Sequence, residues 1–446
     1  MANDKTLTPR RGASRRAFLS AGVQLGAGLA LADVGLDLAP RHADASGTTT
    51  LTYMGLKDNG NPAVGSQLMR LFEQQNPGVK TQFVSAPPAD DAFLAKAITI
   101  LSSRDASVDI FDADVTWPAQ LGAAGWIADL NSYLPPKAQK NYVSAMTYSD
   151  TIDGHLRGIP WMLDTGHLYY RKDILAANNL KPAKTWPELV QQCIMLQKKY
   201  AGMVGFVGCF AQGQQQLISM FLEFIHSNDG DWIDSKTGKV VLNSPQNVAA
   251  LQFMVDMVNK YKIMQPGILS MNLDTGRTVF TEGRAVYHRN WNYVYALAED
   301  AKGGSKVAGK VGVTAVPFFP GHKTAPSAGG WQYVVNNYSK NRDMAIKLAL
   351  FMGGAQGQKF RAIHGSFSPA YLPDNSDPQV VAAHPGFPLL AEQGAAAVSR
   401  GKTPYYTQAS TACEVELSNA LTGQKSVRRA LADASSKITN ILSGQA

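Results

Sequence analysis

The sequence predicts an α/β protein of two lobes, and three observations lead to that class. The chain has 446 residues, whereas one hydrophobic core stops growing at about 250–300 residues, so two cores are expected. Apolar residues make up 45% and charged residues 17%, as in an ordinary globular protein. Strand patterns and helix patterns alternate early in the chain, which is typical of α/β folds.

Alternation and continuous apolar runs define the early elements. The predicted strands cover residues 49–53, 79–84 and 108–111. An amphipathic helix around 68–72 separates the first two strands, and another around 93–101 precedes the third. This β-α-β-α-β order implies a parallel sheet wrapped by helices on both faces. Because ligands bind beyond the carboxyl ends of parallel strands, the loops at 58–61 and 112–117 should face one crevice.

The later chain is predicted to be mainly helical, with strands near 283–288 and 311–316. Trp186-Pro187-Glu188 places a proline at the start of one of these helices. We find no internal repeat and no low-complexity linker, so the lobes are expected to meet at chain crossings. The predicted first lobe covers 46–160 with about 315–370 returning to it, and the second covers 161–314 with about 371–446 returning.

The amino-terminal segment has the layout of a twin-arginine signal peptide. Arg15 and Arg16 precede an uncharged run from Ala17 to Ala32, and a small-x-small cleavage site ends at Ala45. The alternative is a membrane anchor, which needs about 20 strongly apolar residues. The run is short and interrupted by glycine, and no cysteine nearby can carry a lipid. We therefore predict cleavage of residues 1–45, with a soluble periplasmic product.

Charge and cysteine content exclude several classes of protein. The predicted mature chain has 401 residues with 36 basic and 30 acidic side chains, a net charge near +6. The basic residues are dispersed, so no nucleic-acid partner is expected. Cys193, Cys209 and Cys413 are few and odd in number, which favours buried free thiols, although a Cys193–Cys209 pair stays open. The scattered histidines predict no metal site, and no cofactor is expected.

Nine segments, in order, resemble one family. They are Phe72–Val79, Asp114–Pro118, Ala124–Ile127, Gly166–Asp173, Ala250–Asp256, Arg289–Tyr293, Pro320–Lys323, Gly329–Trp331 and Pro404–Tyr406. Together they resemble the extracellular solute-binding proteins of ATP-driven sugar importers, most of all the trehalose/maltose-type members. The resemblance covers about 50 to 440.

The resemblance implies a two-lobed periplasmic binding protein fold, type II-like, with a ligand cleft between lobes joined by crossing segments. Such proteins close by a hinge motion that a bridging ligand favours. The implied partners are a small sugar and the permease subunits of an ABC importer, and the protein is expected to be a monomer.

The resemblance also assigns candidate ligand-binding residues. Asp114 matches the family's aspartate that binds sugar hydroxyls, and its alternative role is a helix N-cap. Asp164 matches a second family aspartate near the lobe crossing, and its alternative role is an Asx-turn. The other matching positions are Trp291, Tyr293, Gly330, Trp331 and Arg400, with Trp331 in the place of the stacking platform. The alternative for a lone tryptophan is a core position. Arg400 is expected in the cleft, and its alternative is a solvated surface position. Gly401 follows it where the family has proline, which leaves the angle of the arginine open.

Two departures concern the sugar. The first-loop glutamate of trehalose/maltose binders has only Asp58 or Asn61 as a counterpart, and their arginine after the second strand is absent from residues 85–91. Gln212, Gln214 and Gln215 offer amides that contribute to the cleft or lie on a helix face.

Three functions are therefore weighed. The first is delivery of a disaccharide such as trehalose or maltose, or a related glucoside, to an importer. The second is the same fold binding a polyol or another small solute. The third is a secreted glycan-acting enzyme, which needs two carboxylates with distinct acid and base roles. No sequence feature assigns those roles, so no enzymatic activity is expected.

Overall fold

The computed structural model describes residues 48–56, 63–87, 90–213, 215–265 and 267–444. The predicted signal peptide, Asp58 and Asn61 lie outside the described residues. The strands are β1 Thr49–Gly55, β2 Val79–Ser85, β3 Ile110–Asp114, β4 Thr151–Ile152, β5 His155–Leu156, β6 Ile159–Thr165, β7 His167–Arg171, β8 Val204–Val207, β9 Ala285–Asn290, β10 Val311–Thr314 and β11 Ala328–Val335.

The first large sheet has the strand order β2-β1-β3-β11-β6. Strands β2, β1 and β3 are parallel, as the alternation of early elements predicts. The expectation of a wholly parallel sheet is wrong, because β11 runs antiparallel to both β3 and β6. A strand from late in the chain therefore lies inside the sheet, between β3 and β6.

The second large sheet has the order β10-β7-β9-β8. Strand β7 is antiparallel to β10 and β9, and β8 is parallel to β9. Only Gly166 separates β6 in the first sheet from β7 in the second, so the chain crosses between lobes at this glycine. The predicted boundary between residues 160 and 161 falls inside β6, a strand of the first sheet.

Helices cover both sheets. They are α1 Val64–Gln75, α2 Asp90–Ser102, α3 Trp117–Ala123, α4 Pro136–Gln139, α5 Ser144–Asp150, α6 Lys172–Ala177, α7 Trp186–Lys199, α8 Gln216–His226, α9 Pro245–Asn259, α10 Leu273–Thr281, α11 Val294–Glu299, α12 Arg342–Gly353, α13 Ala355–Gly365, α14 Pro378–Ala383, α15 Phe387–Gly394, α16 Tyr406–Leu421 and α17 Val427–Leu442. The start predicted for α7 is confirmed, and the Thr185 hydroxyl accepts a hydrogen bond from the Glu188 amide there.

Two hydrophobic cores correspond to the two sheets. The first is built around β1, β3 and β11 with α1, α2 and α12 packed on them. The second is built around β7, β8 and β9, and it includes α8, α9 and both carboxyl-terminal helices. Trp126 and Trp161 belong to the first core, and Trp186 and Trp232 to the second.

All three cysteines are free and buried, which confirms the expectation of unpaired thiols. Within the described residues, no helix has the length and apolar character needed to cross a membrane. The same part of the chain holds no group of three or more His, Cys, Asp or Glu side chains arranged to bind a metal.

Candidate functional site

A buried ion pair lies where β3 ends. Asp114 is the last residue of that strand, and Nη2 of Arg400 lies 2.8 Å from its Oδ1 and 2.7 Å from its Oδ2. Arg400 is 4% exposed and Asp114 8% exposed, so water screens the pair poorly. Asp114 does not cap α3, which begins without a side-chain cap; its Oδ1 accepts hydrogen bonds from the Thr116 amide and hydroxyl.

Arg400 reaches this position because its segment runs beside the start of β11. The Val398 amide donates to the Pro326 carbonyl, and the Ala328 amide donates to the Val398 carbonyl, both at 2.8 Å. The Arg400 Nε then donates to the Ala328 carbonyl at 3.0 Å. The alternative of a solvated surface arginine is therefore wrong. At Gly401 the backbone has φ +123°, which glycine adopts without strain, so the chain turns away directly after the arginine.

Asp164 lies near the end of β6 and ties it to the segment after β9. Its Oδ1 accepts a hydrogen bond of 2.7 Å from the Asn292 amide, and the Asn292 Oδ1 accepts one of 3.0 Å from the Thr165 amide. The observed partner is distant in sequence, so the Asx-turn alternative does not describe this aspartate. Asp164 therefore joins the first sheet to the loop that carries Trp291.

The carboxyl of Asp164 makes folding stability depend on pH. Burial raises its pKa from 3.8 to about 7, and the Asn292 amide and the charges of Arg289 and Arg400 oppose this only in part. Between these values the folded protein keeps a proton that the unfolded chain has released. The contribution of Asp164 to the free energy of unfolding should therefore fall as pH rises from about 4 to about 7. Asp164→Asn should make this fall smaller, as measured by urea unfolding across that interval.

The matched control is Asp234→Asn. Asp234 is an exposed carboxylate whose pKa is lowered, first by a hydrogen bond from the Thr237 hydroxyl, so it titrates below this interval. Its replacement should leave unchanged the slope of the free energy of unfolding against pH between about 4 and about 7. If Asp164→Asn also left this slope unaltered, the raised pKa of Asp164 would be contradicted.

The two candidate tryptophans differ in their surroundings. Trp291 is 5% exposed, donates from Nε1 to Gln216 Oε1 at 3.2 Å, and has the Arg289 guanidinium 4.3 Å from its ring centroid. Trp331 is 8% exposed and stacks on Phe93 with ring centroids 6.2 Å apart. Trp331 therefore packs mainly against the first core, whereas Trp291 is held by polar groups of the second lobe.

Glycines let these groups approach closely. A Cβ at Gly329 would lie 2.9 Å from the ring of Trp291, so a larger residue would displace the tryptophan. Gly330 has φ +121°, and a Cβ there would collide with the Met162 carbonyl oxygen. Tyr293, the remaining aromatic candidate, is partly buried and packs against the second core.

The start of β11 brings the candidate residues together. Gly329 is paired with Asp164, and Trp331 is paired with Asp114. The Arg400 guanidinium lies 6.0 Å from the centroid of a Trp291 ring. Six of the candidate residues thus surround one stretch of strand, namely Asp114, Asp164, Trp291, Gly330, Trp331 and Arg400. Tyr293 lies two residues beyond Trp291. Asp58 and Asn61 are outside the described residues.

Several polar groups of this region carry no clear sequence signal. Asp90 begins α2, and its pKa is raised to about 7, first by burial and then by the charge of Asp114. Glu414 lies in the middle of α16, where nothing in the sequence distinguishes it from a surface glutamate. Of the three glutamines weighed, Gln212 is exposed, Gln214 is outside the described residues, and Gln215 contacts Arg400.

Comparison with known proteins identifies the family. A family model described as bacterial extracellular solute-binding protein matches residues 45–359. The chain belongs to this family. A probable ABC transporter-binding protein of Deinococcus radiodurans is 35% identical over 333 residues, which are 73% of this chain and 77% of that protein. The mannitol-binding protein of Pseudomonas aeruginosa is 22% identical over 68% of this chain and 69% of its own.

A solved structure confirms the predicted fold class. The maltose-bound MalE3 of T. maritima aligns with a TM-score of 0.80 and 29% sequence identity, over 89% of this chain and all of that chain. The two-lobed fold and the resemblance to sugar-binding proteins of ABC importers are therefore confirmed. The family is one of binding proteins of ABC transporters.

Proposed function

We propose that this protein binds a neutral sugar in the cleft between its lobes and delivers it to the permease of an ABC importer. The observation that carries the proposal is the convergence of Asp114, Arg400 and Trp291 at the start of β11. Carboxylates and guanidinium groups form hydrogen bonds with hydroxyls, and such charge-assisted hydrogen bonds contribute about 1.5–3 kcal/mol each to the binding free energy. Aromatic faces cover the apolar side of a sugar ring.

The charge balance favours a neutral ligand over a phosphate. Arg400 is already matched by the carboxylate of Asp114, and Arg289 is paired with Glu223. Neither arginine is left with an excess charge for an anion. Maltose is bound by one structural neighbour and mannitol by one relative, so a disaccharide is the first candidate and a polyol the second.

A glycan-hydrolysing enzyme is not favoured. Both oxygens of Asp114 face Arg400, and its Oδ1 also accepts bonds from Thr116. Asp114 is therefore held as a carboxylate and is not suited to be the general acid, which must carry a proton to the leaving oxygen. We also propose that the twin-arginine segment directs export, that the mature protein is a periplasmic monomer without a lipid anchor, and that residues 46–160 and 161–314 provide the bulk of the two lobes.

A thermal-shift screen followed by calorimetry tests the function. Maltose, trehalose, mannitol and ribitol are added to the purified protein, and a ligand of the folded state at about a hundredfold excess over Kd adds about 2.7 kcal/mol to stability. Stabilisation by one of them is expected, with no turnover of the sugar. Stabilisation by none of them would overturn the sugar and polyol proposals together.

Two tryptophan variants locate the binding site. Trp331 and Trp126 are both 8% exposed, and both pack in the first core. Trp126, however, follows α3, and its carbonyl oxygen accepts a hydrogen bond from the Asn337 amide, just past the carboxyl end of β11. Trp331→Phe should weaken binding, whereas Trp126→Phe should leave the Kd unchanged. Equal effects of the two substitutions would contradict the proposed site.

A further inference from the structure

Tyr406 is a buried aromatic residue beside the ion pair of Arg400 and Asp114. It begins α16, it is 1% exposed, and its ring centroid lies 6.0 Å from Cζ of Arg400. The centroid of a Trp291 ring lies at the same distance from that carbon. Because Nη2 of Arg400 is bonded to Asp114, the ion pair has both aromatic residues as close neighbours.

The hydroxyl of Tyr406 is buried and has no hydrogen-bond partner among the described residues. Other buried tyrosines in that part of the chain do have an acceptor. Tyr53 donates to Asp112 Oδ2 at 2.8 Å, and Tyr142 donates to the Gly353 carbonyl at 3.1 Å. A buried donor without a partner is costly and rare in native proteins, so its presence indicates a role beyond packing.

Packing fixes the ring of Tyr406 in place. The ring meets Trp232 edge-on, with centroids 5.6 Å apart and planes at 84°, and the Tyr406 amide donates to the Thr403 carbonyl at 3.2 Å. Burial raises the pKa of the Tyr406 hydroxyl, the charge of Arg400 opposes this, and the charge of Asp114 adds to it. The hydroxyl therefore lies within the field of the two charged groups that are proposed to bind the sugar.

We infer that the Tyr406 hydroxyl is a further ligand-binding group, which donates a hydrogen bond to an oxygen of the sugar beside Asp114 and Arg400. The inference rests on the proposed function, because it takes the ligand to bind at this ion pair. A phenol keeps its proton at neutral pH, so it donates to one ligand oxygen and accepts from a second ligand hydroxyl. A carboxylate, a guanidinium and a phenol together suit a ligand with several neutral oxygens, as a sugar or a polyol has.

The test compares Tyr406→Phe with Tyr142→Phe, since each substitution removes one hydroxyl and keeps the ring. Tyr142 is the matched control because it is 4% exposed and meets Tyr371 edge-on, with ring centroids 5.3 Å apart. It differs in packing within the first core and in having the Gly353 carbonyl as its acceptor. Calorimetry with maltose and with mannitol gives the Kd of each variant, and urea unfolding without ligand gives its midpoint.

We expect Tyr406→Phe to weaken binding about fivefold to tenfold, the change that the loss of one hydrogen bond produces. Its unfolding midpoint should be unchanged or higher, because the folded protein loses no hydrogen bond. Tyr142→Phe should show the reverse, a lower midpoint with the native Kd.

Two results would overturn the inference while the proposed function stands. One is a native Kd in Tyr406→Phe, and the other is a lowered midpoint in that variant, which would show that the hydroxyl has a partner within the protein. A native protein that binds neither maltose nor mannitol, nor any other solute of the thermal-shift screen, would instead overturn the proposed function and this inference with it.

Discussion

Glu223→Ala should lower the free energy of unfolding by about 3–5 kcal/mol, the largest stability effect we expect from a single substitution. Glu223 and Arg289 form an ion pair in which both side chains are fully buried. Removing the carboxylate leaves the guanidinium buried without its counter-charge. It also removes the acceptor of the Ser327 amide, which lies 3.0 Å from Glu223 Oε1 in the crossing segment before β11.

Urea unfolding of the ligand-free protein measures this effect. The matched control is Glu282→Ala, because Glu282 pairs with Arg284 at the surface with side chains 41% and 53% exposed. An exposed pair is worth at most about 1 kcal/mol, so the control should stay near the native value. The double substitution Glu223→Leu/Arg289→Met should regain much of the loss, since neither charge is then left alone. Equal losses in Glu223→Ala and the control would contradict the prediction.

Asp114→Asn should weaken sugar binding by about a hundredfold, the largest expected effect on affinity. An asparagine is neutral and has a single acceptor oxygen, so it cannot hold Nη2 of Arg400 as the carboxylate does. The substitution removes the charge that orients Arg400 and the carboxylate proposed to bond a hydroxyl. A hundredfold change is about 2.7 kcal/mol, which lies within the value of about 1.5–3 kcal/mol for one charge-assisted hydrogen bond.

Calorimetry with the sugar found in the screen measures the change. The control is Asp173→Asn, whose carboxylate is 38% exposed and pairs with Arg171 at the start of α6. Its Kd should equal that of the native protein. A Kd for Asp114→Asn within about threefold of native would falsify the proposed role of the ion pair.

Local pattern was sufficient for the early elements of the fold. Alternation placed β1 and β2 correctly, and Pro187 marked the start of α7. The third strand was expected at 108–111 and is observed at Ile110–Asp114, because its buried run continues through charged residues that the apolar pattern does not include. Asp112 in that strand is fully buried and bonded to Tyr53 and Trp161.

Long-range pairing accounts for what the sequence did not predict. Nothing in residues 328–335 indicates that they pair antiparallel with β3, which lies more than two hundred residues earlier. The place of Arg400 depends in turn on that pairing, because its segment is held beside the start of β11. The resemblance supplied Asp114, Trp291 and Arg400 as candidates, but the contacts of Gln215 with Arg400 and of Glu414 with the Ile218 amide depend on long-range packing that no local pattern reveals.

The central position of β11 has a consequence for biosynthesis. The first sheet lacks a strand between β3 and β6 until residue 335 has left the ribosome, by which time the chain of the second sheet is already complete. The two lobes therefore cannot finish folding in the order in which they are synthesised. A nascent chain must keep the edges of β3 and β6 unpaired meanwhile, and such edges are prone to aggregation. Until β11 has been synthesised, β3 and β6 each keep one edge without the partner strand that the finished sheet provides.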